Sequence, residues 1–285
     1  MTKGADIQRA HKKKRFVDLP KHLAIWVILG LELIPIYMMI QISGKDNTTF
    51  LTNPWWPVGL GDWEWGNLVF GIQLMGPYIA NTVFVTVTTT VVTMTLAVMA
   101  AYFFARYRMP LHTFLWYFFL ILMLMPSVAN IVPLFMLLKS LNLLNTLWAL
   151  ITIGVAGLQV FNIYVLRNFI EDIPKDLFEA GEIDGASHLQ QIRHIVIPMS
   201  APIIGTLSIL AFLNQWNDFL MPLIILRDQE LFTLGVGLIY LEGEYVKNWG
   251  EIMAAFLVAS VPLFILFLFC MKLFVRGLAA GAVKG

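Results

Sequence analysis

The chain has 285 residues, of which 59% are hydrophobic and only 13% are charged, and its formal net charge is +1. The mean hydropathy of +0.76 lies far above that of soluble globular domains, so composition excludes a soluble domain and indicates a protein of the lipid bilayer. The single cysteine, Cys270, excludes a disulfide framework. The five histidines show no ligand-like spacing, so we expect no metal site.

An α-helix needs about 20 apolar residues to cross the roughly 30 Å hydrocarbon core of a bilayer. Six stretches are long and apolar enough: 23–42, 78–105, 113–138, 147–166, 202–226 and 252–275. Such continuous runs favour helices over the alternating strands of a barrel. We therefore expect an all-α polytopic membrane protein, divided into a cytoplasmic segment at 1–22, a transmembrane domain at 23–275 and a cytoplasmic tail at 276–285.

The third stretch contains two prolines, Pro126 and Pro133, with the polar residues Ser127 and Asn130 between them. A proline removes a backbone hydrogen bond inside a helix, and polar neighbours can replace that bond. The pattern predicts a kinked third helix, which either bends when the protein changes conformation or only shapes the bundle.

The distribution of Lys and Arg predicts the orientation, because positively charged flanks remain on the cytoplasmic side. With the N-terminus inside, four of the 19 Lys and Arg fall outside, namely Lys45, Lys139, Arg227 and Lys247. The others lie in the N-terminal segment, in the two inner loops and near the C-terminus. We therefore expect six spans with both termini in the cytoplasm, and this orientation places the loop at 167–200, between helices 4 and 5, in the cytoplasm as well.

That loop contains the sequence EAGEIDGASHLQQIRHIVIP, residues 179–198. Pro174, which is followed by acidic residues, predicts a first helix over about 175–184. Gly185 then supplies a left-handed stop. Ser187, followed three residues later by Gln190, has the pattern of a capping box, so a second helix is expected from there to about 197, before Pro198. The spacing predicts a helix-Gly-helix hairpin.

Three uses of such a hairpin can be compared. A hairpin lying on the inner headgroups would need basic flanks, and a helix-turn-helix that binds DNA would need a basic surface to neutralise phosphates. Residues 167–200 instead carry more Asp and Glu than Lys and Arg. An acidic hairpin with small residues at Ala180, Gly181, Gly185 and Ala186 is better suited to close docking against a protein, and we expect no nucleic-acid partner.

The spacing of these residues resembles a known motif. Glu179-Ala180-Gly181, three residues, Gly185, nine residues and Ile195-x-Ile197-Pro198 are similar to the EAA loop, E-A-A-x3-G-x9-I-x-L-P, of the membrane subunits of bacterial ABC importers. The wider sequences EAGEIDGAS and FLNQWNDFLMPL resemble the carbohydrate branch of that family, and within it the MalG-type permeases of maltose transporters, over about 78–285. Gly181 replaces the second Ala, which weakens the first helix by up to about 1 kcal/mol, and Ile197 replaces Leu.

The resemblance implies a permease subunit of an ATP-driven ABC importer for a carbohydrate, in the bacterial cytoplasmic (inner) membrane, with its core region at about 78–275. It implies that the hairpin is a coupling helix seated in an ATPase subunit. The docking residues would then be Glu179, Ala180, Gly181, Asp184, Gly185, Ala186, Ser187, Leu189 and Ile192.

The same resemblance implies a set of partners: a second, different permease subunit, two ATP-binding subunits, an extracytoplasmic sugar-binding protein and membrane lipid. The sequence itself contains no G-x4-G-K-[S/T] phosphate loop. We therefore expect this chain to be non-catalytic and to bind no cofactor, with ATP and Mg used by the ATPase subunits.

Polar residues within the spans are candidates for the substrate path, because a charged group at mid-bilayer costs about 2.5–3.5 kcal/mol on insertion scales and must face protein or water. The fifth span carries four residues at i, i+3, i+4 and i+7, which predict one hydrogen-bonding helix face: Asn214, Asn217, Asp218 and Met221. This face either lines a sugar path or packs against the partner permease. Glu32 in the first span either lines the path or bonds to a neighbouring helix.

A stripe of threonines runs along the second span, formed by Thr82, Thr86, Thr89, Thr90 and Thr93. Such a stripe is typical of contacts between membrane helices.

Two other classes of function are compared with the importer. A secondary transporter driven by an ion gradient would show paired halves, and the sequence shows no obvious internal repeat. An integral-membrane enzyme would need a convergent nucleophile, base or metal group, whereas this chain offers isolated histidines and one cysteine.

Overall fold

The computed structural model describes residues 3–107, 110–125, 130–244 and 248–282, and within these ranges the chain is helical without any strand. Its α-helices, numbered in chain order, are α1 Lys3–Ser43, α2 Asn47–Thr52, α3 Trp65–Arg106, α4 His112–Leu124, α5 Ile131–Ser140, α6 Leu147–Glu171, α7 Lys175–Ile183, α8 His188–Gln191, α9 Ile197–Trp216, α10 Leu220–Ile225, α11 Leu234–Glu244 and α12 Trp249–Ala282. The all-α polytopic class expected from composition is confirmed. Pro126, Ser127, Arg108, Lys247 and Lys284 lie outside the described residues.

Five helical segments among the described residues are long and apolar enough to cross a membrane: Pro20–Ser43, Trp65–Arg106, Leu147–Glu171, His188–Ile225 and Trp249–Leu268. They correspond to the first, second, fourth, fifth and sixth predicted stretches. The total of six spans and the side of the membrane on which each loop lies remain predictions.

The third predicted stretch forms two shorter helices, because α4 has 13 residues and α5 has 10. Neither is long enough to cross a bilayer alone. Asn130 precedes α5, and Pro133 is its third residue. A proline is tolerated there, since the first N–H groups of a helix have no partner within the helix.

The chain divides into two compact units, 1–74 with 244–258, and 75–243 with 259–285. In the first unit, the Asn67 side-chain amide donates to the backbone oxygens of Ser43 at 3.0 Å and Lys45 at 2.9 Å. The Lys45 amine is buried and donates to Gln41 Oε1 and to the Asn53 carbonyl. These bonds fix the loop after α1, and burial lowers the pKa of the Lys45 amine.

The core of the second unit lies where the last turns of α3 meet α6, α7 and α9. Ala97, Ala101 and Tyr102 of α3 and Leu166 and Ile170 of α6 form its centre, with members from the other two helices around them. Small residues on α3 allow the helix backbones to approach closely. This packing brings the loop that follows α6 against the end of α3.

The second helix of the hairpin does not end before Pro198, so that prediction is wrong. After α8 the chain makes one turn of π-helix, Ile192–Val196, and continues directly into α9. The Ile197 N–H donates to the carbonyl of Ile192, five residues back. This wider turn lets the helix continue past Pro198, which has no N–H to donate. The hairpin and the fifth span therefore share one helical segment.

Candidate functional site

The first helix of the hairpin is α7, and its end is fixed by the backbone conformation of Gly185. Gly185 has a φ of +74°, a left-handed backbone conformation that residues other than glycine adopt only at a cost in free energy. Its N–H donates to Glu182 at 3.1 Å, and the Ala186 N–H donates to Gly181 at 2.8 Å. These two bonds form a Schellman motif, so the glycine stop expected from the sequence is present.

The second helix of the hairpin begins with the expected capping box. The Ser187 hydroxyl accepts a hydrogen bond from the Gln190 N–H at 3.4 Å, and Gln190 Oε1 accepts one from the Ser187 N–H at 2.7 Å. Both bonds satisfy N–H groups that have no partner within the helix. The turn between α7 and α8 is therefore held by backbone bonds on one side and by side-chain bonds on the other.

Most of the predicted docking residues lie on the hairpin surface. Six are exposed, namely Glu179, Ala180, Asp184, Gly185, Ser187 and Leu189, and Gly181 and Ala186 are half-buried. Ile192 is only 5% exposed and belongs to the hydrophobic core, so in this conformation it offers no surface to a partner. Of the two large apolar residues predicted to dock, Leu189 therefore lies in solvent and Ile192 in the core.

Two apolar residues of the hairpin, Ile183 and Phe178, were not among the predicted site residues. Ile183 is 87% exposed, and with Leu189 at 67% it places two large apolar side chains among the exposed carboxylates of the hairpin. Phe178 is fully buried, with the Arg106 guanidinium 3.9 Å from its ring centroid. An isoleucine within an acidic segment, next to a glycine stop, is the signal that could have identified Ile183.

A cavity of about 1110 Å³ lies beside the base of the hairpin. Its lining includes Arg106, Arg167 and Lys175. Arg167 forms an ion pair with Glu171 at 2.5 Å and stacks on the ring of Trp116, with 4.3 Å between guanidinium and centroid. The hairpin surface thus carries acidic residues, while its base carries basic residues, of which Arg106 and Arg167 lie over aromatic rings.

The polar residues of the fifth span do not share one continuous helix face, so that prediction is wrong. Helix α9 ends at Trp216, Asn217 caps it, and α10 begins at Leu220. Asn217 Nδ2 donates to the Leu213 carbonyl at 2.8 Å, and Asp218 Oδ1 accepts from the Met221 N–H at 3.3 Å. These side chains bond to the backbone and support a break, as Asn and Asp do where a helix is interrupted.

Three of the predicted path residues nevertheless remain together. Asn214, Asn217 and Asp218 line an open groove of about 510 Å³. Met221 lies on the next helix and is half-buried, and it does not line this groove. Glu32 is exposed on α1, in the other unit of the chain.

The threonine stripe of α3 lies in the interior of the second unit. Thr82, Thr86, Thr89 and Thr93 are buried, and Thr90 is half-buried. Thr82 Oγ1 accepts from the Leu234 N–H at 2.7 Å, and the Gln159 amide donates to the Thr93 carbonyl at 3.3 Å. This burial agrees with a packing role inside the chain rather than a surface that faces substrate.

A family model matches residues 93–280, a range that includes the whole hairpin, and its description is "Binding-protein-dependent transport system inner membrane component". The chain belongs to this family and is a multi-pass protein of the inner membrane. The resemblance noticed in the EAA-like loop is thereby confirmed.

Named relatives extend over most of the chain. It is 34% identical to the probable ABC transporter permease protein YurM of Bacillus subtilis, over 92% of this chain and 88% of that protein. It is 36% identical to the sulfoquinovosyl glycerol transport system permease protein SmoH of Agrobacterium fabrum, over 76% of each. It is 30% identical to the trehalose/maltose transport system permease protein MalG of Thermococcus litoralis, over 89% and 92%.

A solved structure of a bacterial ABC transporter involved in the import of the acidic polysaccharide alginate contains a similar chain. The TM-score is 0.76 at 22% identity, and the match covers 91% of this chain and 97% of that one. This similarity shows the fold of the chain.

Proposed function

We propose that this chain is the permease of an ATP-driven importer for a carbohydrate or a sugar derivative, and that it forms half of the translocation path. The names of its relatives support this substrate class, because one relative is named for trehalose and maltose and another for sulfoquinovosyl glycerol. The second name extends the range to anionic sugar derivatives. Uptake measurements decide whether the chain transports neutral sugars or anionic sugar derivatives.

The observation that carries the proposal is the exposed hairpin within the matched family region. Its turn is fixed by Gly185 and Ser187, and it presents Ile183 and Leu189 between carboxylates. Exposed apolar side chains with a charged rim are typical of a protein interface. The hairpin docks in this proposal on an ATPase subunit, and Glu179, Ala180 and Asp184 contribute its polar rim.

The complete importer in this proposal holds one copy of the chain with a second, different permease, two ATP-binding subunits and an external sugar-binding protein. ATP and Mg act in the ATP-binding subunits, and this chain is non-catalytic. The open groove beside Asn214, Asn217 and Asp218 becomes an enclosed path when the second permease covers it. Amide and carboxylate groups there match sugar hydroxyls, because they accept and donate hydrogen bonds.

The test is transport by the assembled complex. The chain is co-expressed with the proteins encoded by the genes that neighbour its own. The complex is purified by a tag on this chain and reconstituted into vesicles. Uptake of radiolabelled maltose, trehalose, arabino-oligosaccharide and sulfoquinovosyl glycerol is measured with the external binding protein present. We expect an ATPase to co-purify and one of these compounds to enter in a manner that needs ATP and is inhibited by vanadate.

Uptake that follows an imposed ion gradient without ATP would refute the proposal in favour of a secondary transporter. Co-purification of an active ATPase without uptake of any of the four compounds would count against the substrate class and leave the importer class intact.

A further inference from the structure

The hairpin is joined to the end of α3 by four polar side chains, Tyr102, Tyr107, His188 and Gln191, which we call the tyrosine cluster. The Tyr102 hydroxyl donates to Gln191 Oε1 at 2.7 Å. It also lies 3.3 Å from the Tyr107 hydroxyl and 3.3 Å from His188 Nδ1. The Tyr107 hydroxyl is 3.0 Å from the same His188 nitrogen. Tyr102 and Gln191 are buried, so the bond between them lies in a medium of low dielectric constant, whereas Tyr107 is half-buried and His188 is exposed.

The four groups can form a single chain of hydrogen bonds. With a proton on His188 Nδ1, that N–H donates to Tyr107, Tyr107 donates to Tyr102, and Tyr102 donates to Gln191. Each hydroxyl then donates once and accepts once, which satisfies the hydrogen-bonding capacity of a phenol. The tautomer is assigned from this network, as it must be for any histidine without visible hydrogens.

Aromatic packing joins the first hairpin helix to the same point. The ring of Phe178 on α7 lies 6.2 Å from the ring of Tyr102, centroid to centroid, and beneath the Arg106 guanidinium. His188 also packs edge-on against Tyr107, with centroids 5.2 Å apart. Both helices of the hairpin therefore contact the end of α3.

The hairpin has two different connections to the rest of the second unit. It is continuous with α9 through the π turn, which is a covalent connection. Helix α3 is distant in sequence, since 89 residues separate Tyr102 from Gln191. Directional hydrogen bonds between α3 and α8 hold one relative orientation, whereas apolar contacts alone would tolerate sliding.

We propose that the tyrosine cluster makes α3 follow the hairpin, so that Tyr102 and Gln191 are positioning residues for the coupling of ATP hydrolysis to transport. This inference rests on the proposed function, because it needs a hairpin that an ATPase moves. It adds a second helix to the route by which that movement reaches the spans.

The experiment uses the complete complex in vesicles and measures ATP hydrolysed per molecule taken up, with the radiolabelled compound selected by the panel above. Tyr102→Phe keeps the ring and removes the hydroxyl, and Gln191→Met keeps the length of the side chain and removes its acceptor. We expect each to assemble with the ATPase and to hydrolyse ATP, while ATP consumed per transported molecule rises about fivefold, as expected for one hydrogen bond of about 1 kcal/mol. The double variant should show no further rise, because both changes remove the same bond.

Tyr117→Phe is the matched control, since Tyr117 is 62% exposed on α4 and loses the same atom outside the cluster. It should keep the wild-type ratio. A wild-type ratio in Tyr102→Phe, or in Gln191→Met if the first variant fails to assemble, overturns the inference. Failure of both to assemble, with Tyr117→Phe intact, also overturns it because the cluster would then act only in folding. Absence of ATP-driven uptake by the wild-type complex refutes the proposed function instead.

Discussion

Two of the helix breaks among the described residues lie at Gly185 and at Asn217 with Asp218, and these two breaks are made differently. At Gly185 the backbone has a left-handed conformation, and two backbone bonds close the turn. At the second break none of the residues has positive φ. There the Asn217 amide and the Asp218 carboxylate bond to backbone groups on either side.

The comparison shows that similar interruptions can depend on different atoms. The turn at Gly185 depends on a backbone conformation that few residues adopt, so one substitution can displace the whole hairpin. The break after Trp216 depends on side-chain oxygen and nitrogen atoms, so a residue that keeps these atoms should keep the break.

The largest effect is expected for Gly185→Leu, which would break the first turn. A left-handed conformation costs about 1–2 kcal/mol for an ordinary L-residue, and the space around a Cβ at Gly185 is open, so the cost is one of conformation and not of collision. We expect normal insertion into the membrane, retained ATP hydrolysis and loss of most ATP-driven uptake. Uptake and hydrolysis are measured on the same vesicles.

Gly185→Asn is the control for that prediction, because asparagine has as many side-chain heavy atoms as leucine but tolerates the left-handed region. It should retain most of the uptake. Wild-type uptake in Gly185→Leu would show that the hairpin turn has no part in coupling.

A smaller effect is expected at the second break, where Asp218→Ala removes the acceptor of the Met221 N–H. The loss of a capping side chain costs about 1 kcal/mol, and a polar group that lines the groove is lost as well. We expect uptake to fall several-fold while the complex assembles normally, as measured by co-purification of the subunits. Asp218→Asn keeps an acceptor oxygen and should lie between the wild type and Asp218→Ala.

If assembly falls in parallel with uptake in Asp218→Ala, the groove is a packing surface between subunits. That outcome would remove Asp218 from the substrate path.

The smallest effect is expected for Gly181→Ala, which sharpens the comparison by strengthening the helix that ends at Gly185. A Cβ at Gly181 would meet Ile195 Cδ1 at 3.5 Å, an ordinary contact. The substitution should stabilise α7 by up to about 1 kcal/mol and leave uptake unchanged. Hydrogen exchange of the α7 amides measures the change.

Gly154→Ala provides the contrast, because a Cβ there would lie 2.0 Å from Gln215 Oε1. It should lower stability, since the Gln215 side chain must move. Equal effects of the two alanines would contradict the packing described for Gly181.

The hairpin was predicted from sequence because its signals are local and few residues can replace them. The glycine stop and the Ser187–Gln190 box each depend on residues within one turn of each other. The break after Trp216 was missed, since Asn and Asp also occur within helices and the apolar pattern continues through them. Only the fold shows that Pro222 falls near the beginning of a new helix, where its missing N–H costs little.

The exposure of individual hairpin residues was harder to predict than the hairpin itself. Leu189 and Ile192 are both predicted docking residues, but the packing of α3 against the hairpin buries Ile192 and leaves Leu189 in solvent. The tyrosine cluster depends on contacts between residues far apart in the chain, which no local pattern reports. The helix continues past Pro198 because of the π turn at Ile192–Val196, and no sequence pattern used above indicates such a turn.

Because α8, the π turn and α9 form one uninterrupted helical segment, a rotation at one end of it moves the other end. From His188 to Trp216 the helical segment has a length of about 40 Å at roughly 1.5 Å per residue. A rotation of about 5° around its hairpin end displaces the other end by about 3.5 Å, more than the length of a hydrogen bond. The groove at Asn217 lies at that far end, so in the proposed importer a small tilt of the hairpin becomes a shift of atomic size at the groove.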